Sequence, residues 1–504
     1  MPPAAPSQAW QLLRAAELGL PEGACQVYAS RMIALLLACA APGDSAPPGD
    51  GPADSLADSR SPDSDPDPAI CDPGESVDLL IIGGGPAGLF AALRAQEQGA
   101  SVLVWEMMDH AGEGLRYPDL LFAVDTPAQA EKGLEDSLEL ALEEWEPMTG
   151  AAPDEVVEAW LADSAALLAE LEGRWGVIAA NVGNDPSIAG VPRLHELDAS
   201  RELLEVGLLE ATEDSVRTGL RGESLCSEDG AVVGALGTDL ASGEPVSQRA
   251  EAVLIASGGF AWDFDRMRSD RPGLAEPWTA DMHEGSQGLG HEMAEEIGAA
   301  SQNEGQHGVY LHGLADPDYE GQVLGLAGTG GALLSGTEEL VQALYINDLR
   351  RSHQVEAALG SSVIFWRDSG SGAVIARRAL SLGGEQIPRD QLVEMGLLQR
   401  HDTLAEALAA RGLPETYSHP DLETGEPIVS GLLASSASKA FTGLATDAQG
   451  RVLDLDGAPI PGLYGAGEAI GMLGTPAVGA GFPGSISAVL WSGARAGEVA
   501  VSER

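Results

Sequence analysis

The chain is poor in cysteine, lysine and aromatic side chains. Cys25, Cys39, Cys71 and Cys226 are the four cysteines in 504 residues, and none forms a CxxC pair. That pattern argues against a zinc site and against a disulfide scaffold. Lys132 and Lys439 are the only lysines, so arginine carries nearly all of the positive charge. With 27 basic residues against 78 acidic ones, the formal net charge is -51, which repels nucleic acid and anionic membrane faces. No apolar run approaches the roughly 20 residues that a membrane-spanning helix needs. Aromatics make up 5% of the chain and glycine is abundant at 64, a balance that favours close-packed α/β architecture over an aromatic-rich β-sandwich. At this length, with 44% hydrophobic residues, a large core spread over about two or three domains is expected.

The front end differs from the rest. Arg31 precedes an apolar stretch, Met32–Leu37, and "LLAC" at Leu36–Cys39 resembles the lipobox of bacterial lipoproteins. In those proteins the chain is cut before the cysteine, which is then lipidated. The resemblance implies a signal segment over 1–38, a lipid anchor on Cys39 rather than a transmembrane span, and a place in the cell envelope. Residues 39–76 are rich in Pro, Asp, Ser and Gly and bury too little apolar surface to fold, so they read as an acidic, self-repelling linker. The other reading is a short helix and a disordered arm on a cytoplasmic protein. Cys71 and Cys226 are able to pair only if the compartment is oxidising.

Function begins to be legible at "VDLLIIGGGPAGLFAALRAQEQGASVLVWE", from Val77. A strand-like run ends at Ile82, a helix is expected from Pro86 to Gln98 before Gly99, and a second strand ends at Glu106. Gly83, Gly85 and Gly88 fill the G-x-G-x-x-G spacing in the turn. Gly83 permits the tight turn, Gly85 lets a diphosphate reach the backbone, and Gly88 lets the helix pack closely on the strand. Pro86 and Ala87 open the helix, whose free N–H groups and dipole face the phosphates. Glu106 is placed to accept the ribose hydroxyls. The pattern specifies a dinucleotide site but does not by itself choose between FAD and NAD.

The choice comes from the far end. "IPGLYGAGEAIG" (Ile460–Gly471) and "GAGFPGSISAVLWSGARAG" (Gly479–Gly497) resemble the C-terminal segment of FAD-dependent oxidoreductases of the fumarate reductase/succinate dehydrogenase and 3-ketosteroid dehydrogenase family. "AEAVLIASGGFAWD" (Ala250–Asp263), "GLGHEMAEEIGA" (Gly288–Ala299) and "DSAALLAELEGRWGV" (Asp163–Val177) match the same family in order, although Leu289 replaces its usual Asp. The resemblance implies an α/β fold, a doubly wound Rossmann-type FAD-binding domain with an inserted α+β cap domain. Its parts are 77–300 and 431–504 for FAD, with the cap over 301–430. It also assigns Ser257 and Gly258 to a turn closing over the cofactor, Gly467 and Glu468 to the ribityl chain, and Ser485, Ile486 and Ser487 to the pyrimidine end of the flavin ring.

The substrate motifs depart from the family. "SSASKAFTGL" (Ser435–Leu444) has no histidine and "GFPG" (Gly481–Gly484) no arginine, so the fixed cations that grip a dicarboxylate are missing. Ala477 stands near the place where ketosteroid dehydrogenases carry a tyrosine, and "GEGLRYPDL" (Gly112–Leu120) replaces a serine- and glycine-rich loop beside the flavin. The remaining candidates for chemistry are His307, Tyr310 and His312 in "NEGQHGVYLHG" and Arg351 in "ALYINDLRRSHQ"; Lys439 is the lone lysine near the expected active site. A histidine that titrates near neutrality is a natural proton carrier beside hydride transfer. The expected reaction is FAD-mediated oxidation or reduction of a C–C bond activated by a carbonyl or carboxyl group, on a small-molecule substrate, with a quinone or cytochrome as electron partner. The rival reading is a tethered, non-catalytic binding protein on the flavoprotein fold.

Overall fold

A run of alternating strand and helix starts at Ser76 and lays down the parallel sheet that positions the site. The computed structural model describes residues 71, 74–115, 120–149, 152–183, 190–197, 201–270, 278–280, 284–327, 331–334, 340–341, 363–367, 375–377, 385–413, 422, 425–432, 434–471 and 485–503. Strand β1 (Ser76–Ile82) is an apolar run whose last four residues are buried. Helix α1 (Pro86–Glu97) follows with proline at its first turn and stops at Gln98, where Gly99 takes φ +81°. Strand β2 (Val102–Glu106) then pairs parallel with β1, Ile82 opposite Trp105.

The next helices are capped as their sequences dictate. In α2 (Glu155–Trp175) the Asp154 carboxylate accepts the N–H groups of Val156 and Val157 at 3.0 and 2.9 Å, and Gly176 ends the helix in the left-handed region. Helix α3 (Arg201–Thr212) leads to strand β3 (Val216–Thr218), parallel to β2. A meander of β4 (Leu220–Glu228), β5 (Ala231–Asp239) and β6 (Pro245–Ile255) returns the chain to the centre, where β6 pairs parallel with β1.

Beyond β6 the chain alternates between two sheets. Strand β7 (Trp278–Ala280) joins an outer sheet, helix α4 (Leu289–Glu295) packs back under β6, and β8 (His307–Ala315), β9 (Val323–Ala327), β10 (Ile375–Arg377) and β11 (Gln386–Pro388) extend the outer sheet. Strand β12 (Ala434–Ala440) completes it between β7 and β8. A five-stranded antiparallel sheet, which includes Val363–Arg367, Leu398–His401 and Ile428–Leu432, also belongs to the insertion. Thus β7 comes from the 77–300 segment and β12 from the 431–504 segment, yet both are built into the inserted sheet. Strands β13 (Arg451–Leu453) and β14 (Pro459–Gly465) return to the first sheet, whose order is β13-β14-β6-β1-β2-β3, and helix α5 (Ser485–Ser502) ends the described chain. The architecture is the doubly wound α/β domain with an inserted cap.

The core is apolar on both faces of the sheet. Leu79, Leu80, Ile81, Leu89, Phe90, Val253, Leu254 and Leu463 are all fully buried, and each such large side chain is worth about 1.5–3 kcal/mol in transfer from water. The one cysteine pairing left open in the sequence is present: Cys71 is bonded to Cys226 of β4 across 155 residues of sequence. Cys71 is buried, so the ordered domain begins inside the stretch expected to be linker. Low cysteine count excluded a scaffold of many bridges, but not a single staple between the domain's entry and its meander. Cys39 lies outside the described residues.

Candidate cofactor and active site

The turn after β1 is shaped by glycines that no other residue replaces. Gly83 has φ +107°, and a Cβ there would lie 2.4 Å from the Ala256 carbonyl oxygen; at Gly88 it would lie 2.0 Å from that of Gly83. Gly85 is the opposite case: nothing stands within 4 Å of where its Cβ would be. It is the N-cap of α1 and no side chain caps the helix. The first-turn N–H groups therefore face an open cradle with a partial positive charge. Such a cradle fits a diphosphate.

Glu106 closes one side. Its carboxylate accepts the N–H of Gly84 and that of Met108, both at 2.7 Å. Burial raises its pKa, opposed by these backbone donors and by His110. The following residues fold back on the cradle: Gly112 N–H donates to the Gly84 carbonyl at 2.9 Å, and Gly114 packs on Pro86. Gly112 and Gly114, at the start of the departed loop, therefore form a wall of the crevice.

A second helix start lies further along. Helices α1 and α5 run parallel and nearly in backbone contact, since a Cβ on Gly493 would sit 2.3 Å from the Ala87 carbonyl oxygen and one on Gly497 2.5 Å from that of Ala91. With the same offset, the seven residues of α5 before the level of Pro86 carry its N-terminus about 10 Å beyond that of α1. Gly467 (φ +72°) sits against Ala87 and donates its N–H to Ser492 Oγ at 3.0 Å. This places Glu468 between the two helix starts. Glu468 is buried, and its Oε1 accepts the Ala440 N–H at 2.8 Å. Burial pushes its pKa up to about 7 against that N–H and the Lys439 charge. Lys439 Nζ donates to Ser485 Oγ, at the first residue of α5, at 3.0 Å. Ser487 is buried beside it and Ile486 half-buried.

Across the crevice, Gly258 (φ +77°) and Gly259 allow the turn after β6 to approach Glu468: a Cβ on Gly259 would be 2.4 Å from its Oε1. Ser257 Oγ is buried without a hydrogen-bond partner, and so is Ser286 Oγ. His291 on α4 was not singled out in the sequence. It is fully buried edge-on to Phe260, with ring centroids 5.4 Å apart, and neither ring nitrogen has a partner. Burial, with Arg266 nearby, takes its pKa down to about 3. Nothing in "GLGHEMAEEIGA" signals this, because burial is set by Phe260 and β6 from elsewhere in the chain.

Of the residues expected to do chemistry, His307, Tyr310 and His312 lie on β8. That strand is antiparallel to β12, with His307 opposite Ala440, Gly308 opposite Lys439 and Tyr310 opposite Ser436. The pairing brings the backbone at His307 to the strand end that donates to Glu468. Arg351 lies outside the described residues.

The family model described as "FAD binding domain" matches residues 78–482. NADH:fumarate oxidoreductase of Klebsiella pneumoniae is 24% identical over 441 residues, covering 79% of this chain and 45% of that protein. Urocanate reductase of Eggerthella lenta is 26% identical over 455 residues, covering 80% and 71%. The chain thus spans less than half the length of the first relative. Among solved structures, 3-ketosteroid Δ1-dehydrogenase from Sterolibacterium denitrificans has the same fold, with a TM-score of 0.68 at 15% identity over 86% of this chain and 100% of that one.

Proposed function

Because the chain belongs to the FAD binding domain family, whose cofactor its crevice fits, we propose that it is an FAD-dependent oxidoreductase acting on a C–C bond next to a carbonyl or carboxyl group. The observation that carries this reading is the pairing of two parallel helix starts about 10 Å apart along one crevice, with Glu106 at one end and Glu468 between them. FAD supplies the hydride-transfer centre. The chain binds the diphosphate at Gly83–Gly88, orients the ribose through Glu106, and keeps the ring end dry with the buried Glu468, Ser487 and Phe441. His307, Tyr310 and His312 on β8, together with Arg351, are the proposed proton carriers and substrate contacts. Two relatives are named for reduction of fumarate and urocanate, acids whose C=C bond is conjugated to a carboxylate. An unsaturated acid or enone is therefore the proposed substrate class, and either direction of reaction fits the chemistry. The intact cofactor residues leave a non-catalytic tether without support.

We further propose a lipid anchor at Cys39 and a quinone or cytochrome as electron partner in the cell envelope. The Cys71–Cys226 bond favours an oxidising compartment. No helix among the described residues is long and apolar enough to cross a membrane.

The test of function uses the purified full chain. Flavin released on denaturation is identified and counted, and the chemically reduced protein is offered fumarate, urocanate and 3-ketosteroid enones without oxygen. Reoxidation by one of these classes supports the reading. A colourless protein that takes up no FAD overturns it. For the anchor, replacing Cys39 by Ser should release the protein from the membrane fraction; unchanged fractionation overturns that part.

A further inference from the structure

Lys439 is placed where a cation has little reason to be unless it meets an anion. It is one of two lysines in a chain of formal charge -51, and among the described residues no carboxylate oxygen comes within the 4.0 Å of an ion pair with it. Its hydrogen bond goes to a neutral group, Ser485 Oγ. A lysine ammonium has three donors, so that bond leaves donors to spare. Desolvation holds its pKa below the usual lysine range, opposed by the charge of Glu468, which already accepts the Ala440 N–H.

Three elements converge on this ammonium. β12 carries Lys439 itself, with Gly308 of β8 as its partner in register. α5 begins at Ser485 and contributes the positive end of an 18-residue helix. The loop after β14 holds Glu468, among the described residues the one titratable group that acts on the ammonium from a neighbouring element. The cradle at α1 accounts for the diphosphate, so the second positive pole, about 10 Å further on, needs another negative group. When FAD spans the crevice, that group is the pyrimidine end of its ring, which is negatively charged when reduced.

We infer that Lys439, held by Ser485 at the start of α5, is a cofactor-contacting residue that supports the negative charge of the reduced flavin ring and so raises the electron affinity of the bound FAD. This rests on the FAD reading above and adds to it a specific residue and role. The role calls on the lysine's charge alone, and no bond to it forms or breaks. A purely structural role, bridging β12 to α5, predicts no effect on the cofactor's electronic properties.

The experiment compares the full-length wild type with Lys439→Met, Lys439→Gln and Lys439→Arg. Each is assayed for FAD per chain, for sulfite affinity from bleaching of the flavin's visible band, and for flavin midpoint potential against reference dyes. Sulfite adds to the ring and leaves the same negative charge on it, so its affinity reports the cation without turnover. Lys439→Met should retain FAD and bind sulfite about tenfold or more weakly, and a matching tenfold loss in the two-electron equilibrium is about 30 mV. Lys439→Arg should recover most of both. Lys439→Met with full FAD content, unchanged sulfite affinity and unchanged potential overturns the proposal. If that variant does not hold FAD, Lys439→Gln and Lys439→Arg decide it, and equal sulfite affinities in the two overturn it. A wild type without flavin overturns the FAD reading itself, which is a different outcome from a yellow protein indifferent to Lys439.

Discussion

Gly493 of α5 rests against Ala87 of α1 so closely that a Cβ would fall 2.3 Å from the Ala87 carbonyl oxygen. This contact locks the two helices in parallel and sets how far apart their N-termini stand. Gly493→Ala should therefore force the helices apart, at a cost of about 1–3 kcal/mol by comparison with other overpacked sites. Denaturant unfolding measures the loss, and FAD content should fall with it because both helix starts move. Stability and FAD content both equal to wild type would show that the spacing is not set here.

Glu106 offers a sharper probe of binding than of folding. Its carboxylate orders the turn through the Gly84 and Met108 N–H groups. Glu106→Ala should weaken FAD by about tenfold to a hundredfold, as expected for loss of charged hydrogen bonds worth about 1.5–3 kcal/mol. Flavin fluorescence titration of the stripped protein reads this directly.

The Cys71–Cys226 bond closes a long loop. Removing it by Cys71→Ser with Cys226→Ser should cost about 2–4 kcal/mol of stability. Thiol reductant should lower the wild-type melting temperature toward that of the double variant and leave the double variant unchanged. A chain truncated after Cys71 should behave as the double variant does.

His291 imposes a pH dependence whose sign follows from its environment. Its pKa falls from 6.5 to about 3 on folding, so the unfolded chain binds the extra proton first. The stability it permits is fully present above about pH 6.5 and is lost as the pH falls toward 3, by up to about 1.4 kcal/mol per pH unit. His291→Leu removes the titrating group and its two unpartnered nitrogens. The variant should unfold less readily than wild type near pH 4 while differing much less near pH 8, as followed by circular dichroism. Parallel acid-unfolding curves would contradict the assignment.

Local patterns were the legible part of the site. Gly83, Gly85, Gly88 and Glu106 fall within one βαβ unit, where chain connectivity nearly forces their proximity, and Glu468 follows directly from a strand end. The meeting of Lys439 with Ser485 across 46 residues has no such local signature. Nor has the burial of His291 under Phe260, because its neighbours arrive from separate segments. The division of the chain at 300/301 and 430/431 follows the sequence but not the sheets, since β7 and β12 hydrogen-bond to each other across both boundaries.

The amino-acid order alone determined that a dinucleotide crevice forms, because tight turns, helix starts and strand runs are short-range consequences of glycine, proline and apolar periodicity. Tertiary structure decided the rest: how far α5 reaches past α1, which cation meets the start of α5, and where a single disulfide fastens the domain. Those are contacts between distant segments, selected by packing and desolvation that exist only once the two sheets and α5 have come together.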